Sequence, residues 1–223
     1  MDTIKSKYLE KIANNYQLLS ELVLSQLSYT RMILEQPDTN IYEEIEKNEV
    51  LIDSLDVKMR EEVLNGILLF NPKALDLRRI MAYHDTTKYL ERIGDQILNV
   101  SVFLKKTDLN RPDFPEFKKK LSSMLKRAEE MVRMAVYAFI FEDNPKAYQT
   151  IAADDKLDSN LLDIIEQLHL VFQNKILNSQ DLYNLTSINS IAYNIERVGD
   201  NATNIAEMAV YLTEGKDIRH GNA

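Results

Sequence analysis

Apolar residues recur every three to four positions along most of the chain, which is the spacing of one face of an α-helix. The clearest stripes cover residues 4–27, 117–139 and 185–209. The first stripe consists of Ile4, Tyr8, Ile12, Tyr16, Leu19, Val23 and Leu27. No comparable run alternates every second residue between turn residues, as a half-buried strand would. The pattern therefore predicts an all-α protein.

Helix-breaking residues stand at a few places and divide the pattern into segments. Pro37-Asp38-Thr39 predicts the end of a first helix. Asn71-Pro72 predicts the end of a second helix and the start of a third, with the Asn as its cap and the Pro as its first helical residue. The densest break, from Arg111 to Pro115, lies in the middle of the chain.

The second half of the chain carries the same kinds of signal. Asn144-Pro145 repeats the start signal, and Ser179 and Asp181 can cap a last helix that ends near Gly215. The segments amount to six helices of roughly 30 residues, each about 45 Å long. Helices of this length with short connections fold back on one another as antiparallel bundles.

The chain contains an internal repeat at a shift of 105 residues. At this shift residues 90–96 (LERIGDQ) fall on residues 195–201 (IERVGDN), and Asp53-Ser54 falls on Asp158-Ser159. A constant offset over two helices and a loop is hard to reach by chance. We therefore predict two tandem antiparallel three-helix bundles, residues 1–108 and 109–223, related by the repeat.

Acidic residues recur four positions apart at equivalent places in both halves. The four pairs are Glu49 and Asp53, Glu91 and Asp95, Asp154 and Asp158, and Glu196 and Asp200. Residues i and i+4 share a helical face, with Cβ atoms roughly 5–6 Å apart. Carboxylates about 5 Å apart repel one another by roughly 3 kcal/mol at an effective dielectric near 20. Solvent, a cation or a positive partner has to offset this repulsion.

The acid pairs allow two interpretations. A single pair of this kind is typical of a solvated acidic surface, whereas four pairs at repeat-related positions favour metal binding. Carboxylate ligands suit hard or borderline cations such as Mg, Ca, Mn or Fe. The spacing leaves the identity of the metal open, Zn included.

Two of the five glycines, Gly94 and Gly199, occupy the same repeat position inside helices. Glycine inside a helix costs up to about 1 kcal/mol relative to alanine. The two glycines therefore predict a close approach by another backbone or by a bulky ligand.

Composition narrows the classes of protein. The chain of 223 residues has no cysteine, which excludes disulfides, thiolate metal sites and cysteine nucleophiles. Its net charge of −8 argues against a nucleic-acid partner. The longest clean apolar run covers residues 134–141, which is short of the roughly 20 residues that a membrane span needs. The N-terminus lacks a secretory signal, so we expect a cytoplasmic protein.

Recognisable catalytic motifs are missing from the sequence. There is no Gly-rich phosphate loop, no G-x-S-x-G and no His-Glu-x-x-His. Glu166-x-x-His169 has the spacing of half a ferritin-like di-iron site, which needs two such motifs. We therefore predict that the protein is not an enzyme.

The doubled segments resemble the paired signature of the PhoU family of phosphate-uptake regulators. They read Leu90-Glu91-Arg92-Ile93-Gly94-Asp95-x-x-x-Asn99 and Ile195-Glu196-Arg197-Val198-Gly199-Asp200-x-x-x-Asn204. The resemblance covers nearly the whole chain and extends to its length and its upstream acid pairs. In the first copy, Gln96, Ile97 and Leu98 replace the small residues that are usual after the Gly-Asp. In the second copy, the acid pair of the fifth helix begins with Asp154 instead of a Glu.

The resemblance implies more than composition does. PhoU proteins are tandem three-helix bundles, often dimeric, and act as negative regulators of phosphate uptake and of the phosphate-starvation response. They bridge the ATPase of a phosphate ABC transporter and a membrane-bound sensor histidine kinase. Some carry multinuclear iron or other metal clusters on acid motifs. For this chain the resemblance implies a homodimer that reaches the membrane only through its partners. The implied metal ligands are Glu49, Asp53, Glu91, Asp95, Asp154, Asp158, Glu196 and Asp200.

Two other functions stay open at this point. A PhoU-like protein could serve a sodium- or proton-coupled phosphate carrier instead. A metal-dependent phosphate-ester hydrolase could hold two metals about 3.5–4 Å apart on the clustered carboxylates. Matched histidine ligands, which such a hydrolase usually has, are missing from the repeat.

Overall fold

The computed structural model describes residues 2–111, 115–174 and 176–218. Over these ranges the chain forms six helices and no strand, which confirms the all-α prediction. The helices are α1 (Asp2–Glu35), α2 (Thr39–Phe70), α3 (Leu75–Lys106), α4 (Pro115–Phe141), α5 (Asn144–Asn174) and α6 (Ser179–Glu214). The predicted break between residues 111 and 115 separates α3 from α4, and residues 112–114 of that break lie outside the described residues.

The turn between α2 and α3 differs from the sequence prediction. Asn71 adopts the left-handed conformation with φ 41°, and its backbone N–H donates to the Ile67 carbonyl, so it closes α2. α3 begins at Leu75, after Ala74 with φ 50°, and has no side-chain cap. The prediction that Asn71 caps α3 and that Pro72 is its first residue was wrong. Asparagine tolerates the left-handed conformation better than most residues, so it serves a helix end as readily as a helix start.

The helices of the second half begin one residue away from the predicted caps. Asn144 was predicted as the cap of α5, but it is the first helical residue, and Asp143 caps the helix by accepting from the Lys146 backbone N–H at 3.0 Å. Asn178 caps α6 in a capping box with Asp181, and Ser179 is the first helical residue. The predicted end of α6 is confirmed, because Gly215 closes the helix with φ 71°.

The helices pack as two units that are joined face to face. α1, α2 and α3 contact one another, α4, α5 and α6 do the same, and α3 lies along α6 while α1 contacts α4. α3 and α6 run antiparallel. The guanidinium of Arg78, near the start of α3, lies against Gly215 after the end of α6. At the other end Arg111 pairs with Asp181 near the start of α6.

One hydrophobic core continues through both units. Tyr16 of α1, Tyr83 of α3 and Phe139 of α4 form an aromatic cluster across the junction, with ring centroids 4.9–5.3 Å apart. Aromatic pairs at this spacing contribute beyond the area that they bury. The junction is therefore part of the folded core, and the division into residues 1–108 and 109–223 stays a prediction.

None of the helices in the described ranges has the length and apolar character that a membrane crossing requires.

Candidate functional site

Each unit brings its two acid pairs together between two of its helices. We call Glu49, Asp53, Glu91 and Asp95, from α2 and α3, the first acidic face. We call Asp154, Asp158, Glu196 and Asp200, from α5 and α6, the second acidic face. Burial, together with the charge of neighbouring carboxylates in the same groove, raises the pKa values of Glu49, Glu91, Asp154 and Glu196. The structure thus places all eight predicted residues in two repeat-related groups.

The helices approach closely where the acids meet because each groove contains a glycine. A Cβ atom on Gly94 would lie 3.2 Å from Glu49 Oε2 and 3.3 Å from Ile52 Cδ1. On Gly199 it would lie 3.4 Å from Asp154 Oδ1 and would overlap Leu157. The atoms that come close to both glycines belong to side chains, and not to the backbone or the bulky ligand that the sequence predicted. The equivalent neighbours also confirm the shift of 105 residues.

Glu49 is the most buried acid of the first acidic face, with 7% of its surface exposed. Burial raises its pKa to about 7, the nearby Asp95 and Asp53 add to the rise, and a hydrogen bond from Gln26 opposes it. Gln26 Nε2 donates to Glu49 Oε2 at 2.7 Å. The other carboxylate oxygen, Oε1, is buried and has no hydrogen-bond partner among the described residues.

Glu91 lies half-buried on α3, across the groove from α2. Burial raises its pKa, and the carboxylates of Asp95, Asp56 and Asp53 raise it further, while the guanidinium of Arg60 lowers it. Asp56 and Arg60 are therefore electrostatic members of this groove in addition to the four predicted acids.

The second acidic face shows the same effects. Burial raises the pKa of Asp154 to about 6, with Asp200 and Asp158 adding to the rise. Burial also raises the pKa of Glu196 to about 7, again with help from Asp200 and Asp158. Asp154 Oδ1, like the equivalent Glu49 Oε1, is buried and has no hydrogen-bond partner in the described part of the chain. A proton or a cation would satisfy this carboxylate oxygen, which has the same place in both units.

The acidic residues have the donor atoms that a metal ion needs, but they are not yet positioned around a single ion. The donors are carboxylate oxygens, which suit hard cations, and each face offers a buried oxygen that lacks a partner. However, no three histidine or acidic side chains within the described ranges already converge as ligands of one ion. The outer acids, such as Asp53 and Asp158, have exposed side chains that are free to rotate. Their carboxylates would have to turn toward the groove to bind a cation there.

Three polar residues of the first acidic face were not predicted from the sequence. Gln26 is fully buried on α1 beside Glu49. The equivalent position near Gly199 in the second unit is occupied by Met131 of α4. Asp56 and Arg60 follow Asp53 along α2, and their repeat equivalents are Leu161 and Ile165. Their spacing of four residues was the available signal, because it places opposite charges on the face that carries Glu49. Gln26 had a weaker signal, as a polar residue within an apolar stripe.

The histidines do not join the acids. His84 Nδ1 lies 3.0 Å from Asp85 Oδ1 on its own helix. His169 contacts Gln173 at 2.8 Å, also on its own helix. Both contacts are local, so the described histidines supply neither face with a nitrogen ligand or a proton acceptor.

The sequence contains two copies of a known domain. Residues 16–103 and residues 121–209 each match the PhoU domain. A protein of Clostridium acetobutylicum, a phosphate-specific transport system accessory protein PhoU homolog, is 27% identical over 212 residues, which are 94% of each chain. The phosphate-specific transport system accessory protein PhoU of Escherichia coli is 26% identical, over 95% of this chain and 86% of its own length.

The fold also matches solved structures. PhoU from Pseudomonas aeruginosa superposes with a TM-score of 0.86 at 22% identity, over 95% of this chain and 99% of that one. The phosphate transport system regulatory protein PhoU from Streptococcus pneumoniae superposes with a TM-score of 0.85 at 21% identity, over 96% and 99%. At such low identity these matches establish the fold alone.

Proposed function

Because the chain belongs to the PhoU domain family, we propose that it is a cytoplasmic regulator of phosphate uptake. In this proposal it links the ATPase of a phosphate ABC transporter to a sensor histidine kinase and represses uptake and the phosphate-starvation response when phosphate is plentiful. It is not an enzyme, it acts as a homodimer, and it reaches the membrane only through its protein partners.

One observation carries the proposal: both halves of the chain match the same domain, and relatives of nearly the same length are accessory proteins of the phosphate-specific transport system. An adaptor between two proteins needs two contact surfaces that keep a fixed relative position. Two units joined through a continuous core supply such surfaces. The lack of a nucleophile paired with a base in the described acidic faces favours binding over catalysis.

We further propose that both acidic faces bind metal ions, with Fe, Mg, Mn, Ca or Zn as candidates. Glu49, Asp53, Glu91 and Asp95 would hold one site, and Asp154, Asp158, Glu196 and Asp200 would hold the other. A bound cation supplies positive charge that offsets the mutual repulsion of the carboxylates. The chain's own residues do the rest: the buried Glu49 and the half-buried Asp154 anchor the two sites, and the exposed acids close them.

The test is a tagged pull-down from membranes of the native organism, grown at high and at low phosphate and analysed by mass spectrometry. We expect a sensor kinase or a transporter ATPase to be enriched at high phosphate. Enrichment of a sodium- or proton-coupled phosphate carrier would instead support service to a different transporter. Recovery of none of these at either concentration would contradict the adaptor function.

A matched pair of variants connects the acidic faces to this function. Glu91→Gln with Glu196→Gln removes one charge from each face, whereas Glu130→Gln removes a charge from an exposed position on α4. If the faces take part in regulation, only the double variant fails to restore repression in a deletion strain. Sedimentation of the purified wild-type protein tests the homodimer separately.

A further inference from the structure

The first acidic face carries an ion pair that the second acidic face lacks. Arg60 Nη2 lies 2.7 Å from Asp56 Oδ2, one helical turn apart on α2. The repeat equivalents of these two residues are Leu161 and Ile165, both apolar. The ion pair is therefore not conserved between the two repeats, and the positive charge of Arg60 lies at the first acidic face only.

The pair lies on the face of α2 that lines the groove. Glu49, Asp56 and Arg60 are separated by seven and four residues, which places them within one narrow stripe of the helix. Asp56 is 5% exposed. From α3, Glu91 lies within electrostatic range of both Asp56 and Arg60. The guanidinium, on a side chain that is 47% exposed, is thus a positive charge at the solvent-facing edge of a group of carboxylates.

Two buried oxygens in this groove have no hydrogen-bond partner among the described residues. They are Glu49 Oε1 and Asp56 Oδ1, on side chains that are both more than nine-tenths buried. A buried carboxylate oxygen without a partner is costly. These oxygens indicate that the groove accommodates positive charge beyond the single guanidinium that Asp56 holds.

The arginines next to the repeated signature do not have the same position. Arg92 is exposed and its guanidinium lies 6.0 Å from the ring centre of Tyr89, on its own helix. Arg197 of the second acidic face is also exposed and acts on Glu196 and Asp200 through charge alone. Arg60 is exposed as well, and it differs from both because its guanidinium is paired with a buried carboxylate, that of Asp56.

We propose that Arg60, held in place by Asp56, is a built-in counter-ion of the first acidic face and competes there with a bound metal ion. The inference rests on the proposed metal binding. It assigns to Arg60 a role in setting affinity, and to Asp56 a role in positioning Arg60. Arg60 then offsets the negative charge that Asp56 adds to the groove, and occupancy of the first acidic face requires a higher metal concentration than Asp56 and the four acids would without Arg60.

The experiment measures binding of Mn²⁺ by calorimetry to the full chain after chelator treatment. All proteins carry Glu196→Gln and Asp200→Asn, which disable the second acidic face so that only the first is read. In this background Arg60→Gln removes the charge and keeps an amide that can donate to Asp56. Arg60→Lys keeps the charge and is the matched control.

We expect Arg60→Gln to bind Mn²⁺ about tenfold more tightly, and Arg60→Lys to bind within about twofold of the parent. Arg60→Met is a second charge-free variant, and it replaces Arg60→Gln if that protein does not fold. A purely structural ion pair would lower the melting temperature and leave the Mn²⁺ affinity of the folded protein unchanged. Unchanged or weaker binding in the charge-free variants, with binding present in the parent, would overturn this inference alone. No Mn²⁺ binding in the parent or in any variant would overturn the proposed metal binding as well.

Discussion

Leu157 of α5 packs against the α-carbon of Gly199 on α6, in the space that a side chain on residue 199 would need. Gly94 has the equivalent position between α2 and α3, but there the nearest atoms, Glu49 Oε2 and Ile52 Cδ1, leave 3.2 and 3.3 Å for a Cβ atom. The glycine of the second unit, Gly199, therefore has less free space for a side chain than the equivalent Gly94. This difference leads us to expect effects of different size for the same substitution in the two units.

We expect Gly199→Ala to destabilise the metal-free protein by about 1–2 kcal/mol, because overpacking a core costs more than the improved helix propensity returns. Gly94→Ala should change the free energy of unfolding by less than about 1 kcal/mol, because its neighbours have to move only a few tenths of an ångström. Urea denaturation in the presence of EDTA measures both.

A double-mutant cycle identifies the contact responsible. Leu157→Val removes the methyl groups that a Cβ atom on residue 199 would meet, so it should recover part of the loss in Gly199→Ala. Strict additivity of the two substitutions would show that Leu157 is not the cause.

The cap of α6 gives a second prediction about stability. Asn178 accepts from the Asp181 backbone N–H at 2.9 Å, and Asp181 Oδ2 accepts from the Asn178 backbone N–H at 3.1 Å. Asn178→Ala should therefore lower the free energy of unfolding by about 1 kcal/mol. Ser179→Ala, one residue later, should lower it by much less, because Ser179 is already inside the helix. Equal losses in the two variants would mean that the capping box does not stabilise α6.

Local sequence signals predicted the helices and missed the details of their ends. Three-to-four-residue periodicity fixes where a helix is and which of its faces is buried. Asn71 and Asn178 belong to the same residue type, yet Asn71 ends α2 and Asn178 starts α6. Whether an asparagine ends or starts a helix depends on its own backbone conformation, which the neighbouring residues in the sequence do not determine.

The acidic faces were predictable because the repeat doubled the signal. Glu49 and Asp154 stood out only once the same spacing appeared in both halves. Arg60 has no repeat equivalent of its own type, so the same reasoning passed over it. The contact between α3 and α6 could not be predicted from the sequence either. An apolar stripe shows that a helix face is buried, but it does not show which helix packs against it.

Metal content gives a direct prediction for the two faces together. Protein purified without chelators should contain bound metal in stoichiometric amount by elemental analysis. Glu91→Gln with Glu196→Gln should lose most of it, because each substitution removes a ligand charge from one groove. Circular dichroism verifies that the double variant is folded. Glu130→Gln, on the exposed side of α4, should keep the wild-type content. Equal metal content in all three proteins would place the metal elsewhere.

The raised pKa values also predict how the stability of metal-free protein depends on pH. Burial and neighbouring carboxylates raise the pKa of Glu49 from 4.5 to about 7 and the pKa of Glu196 from 4.5 to about 7. The pKa of Asp154 rises from 3.8 to about 6. Between the unfolded and the folded values the folded protein binds more protons than the unfolded chain, so stability falls as pH rises. The loss from these groups begins near pH 4 and is complete above about pH 7.

We therefore expect these three groups to make the melting temperature in EDTA higher at pH 5.5 than at pH 8. The triple variant Glu49→Gln, Asp154→Asn, Glu196→Gln carries neutral side chains of similar shape at the same places. Its melting temperature should exceed that of the wild type at pH 8 and approach it at pH 5.5, because the wild-type groups are then mostly protonated. Other titrating residues are common to both proteins and cancel in the difference.

A difference between the two proteins that is the same at both pH values would show that the three carboxyls ionise as freely in the folded protein as in the unfolded chain. Saturating Mn²⁺, added in place of EDTA, should remove the part of the wild-type pH dependence that these three carboxyls cause, because the cation replaces their protons, and it should have a smaller effect on the triple variant.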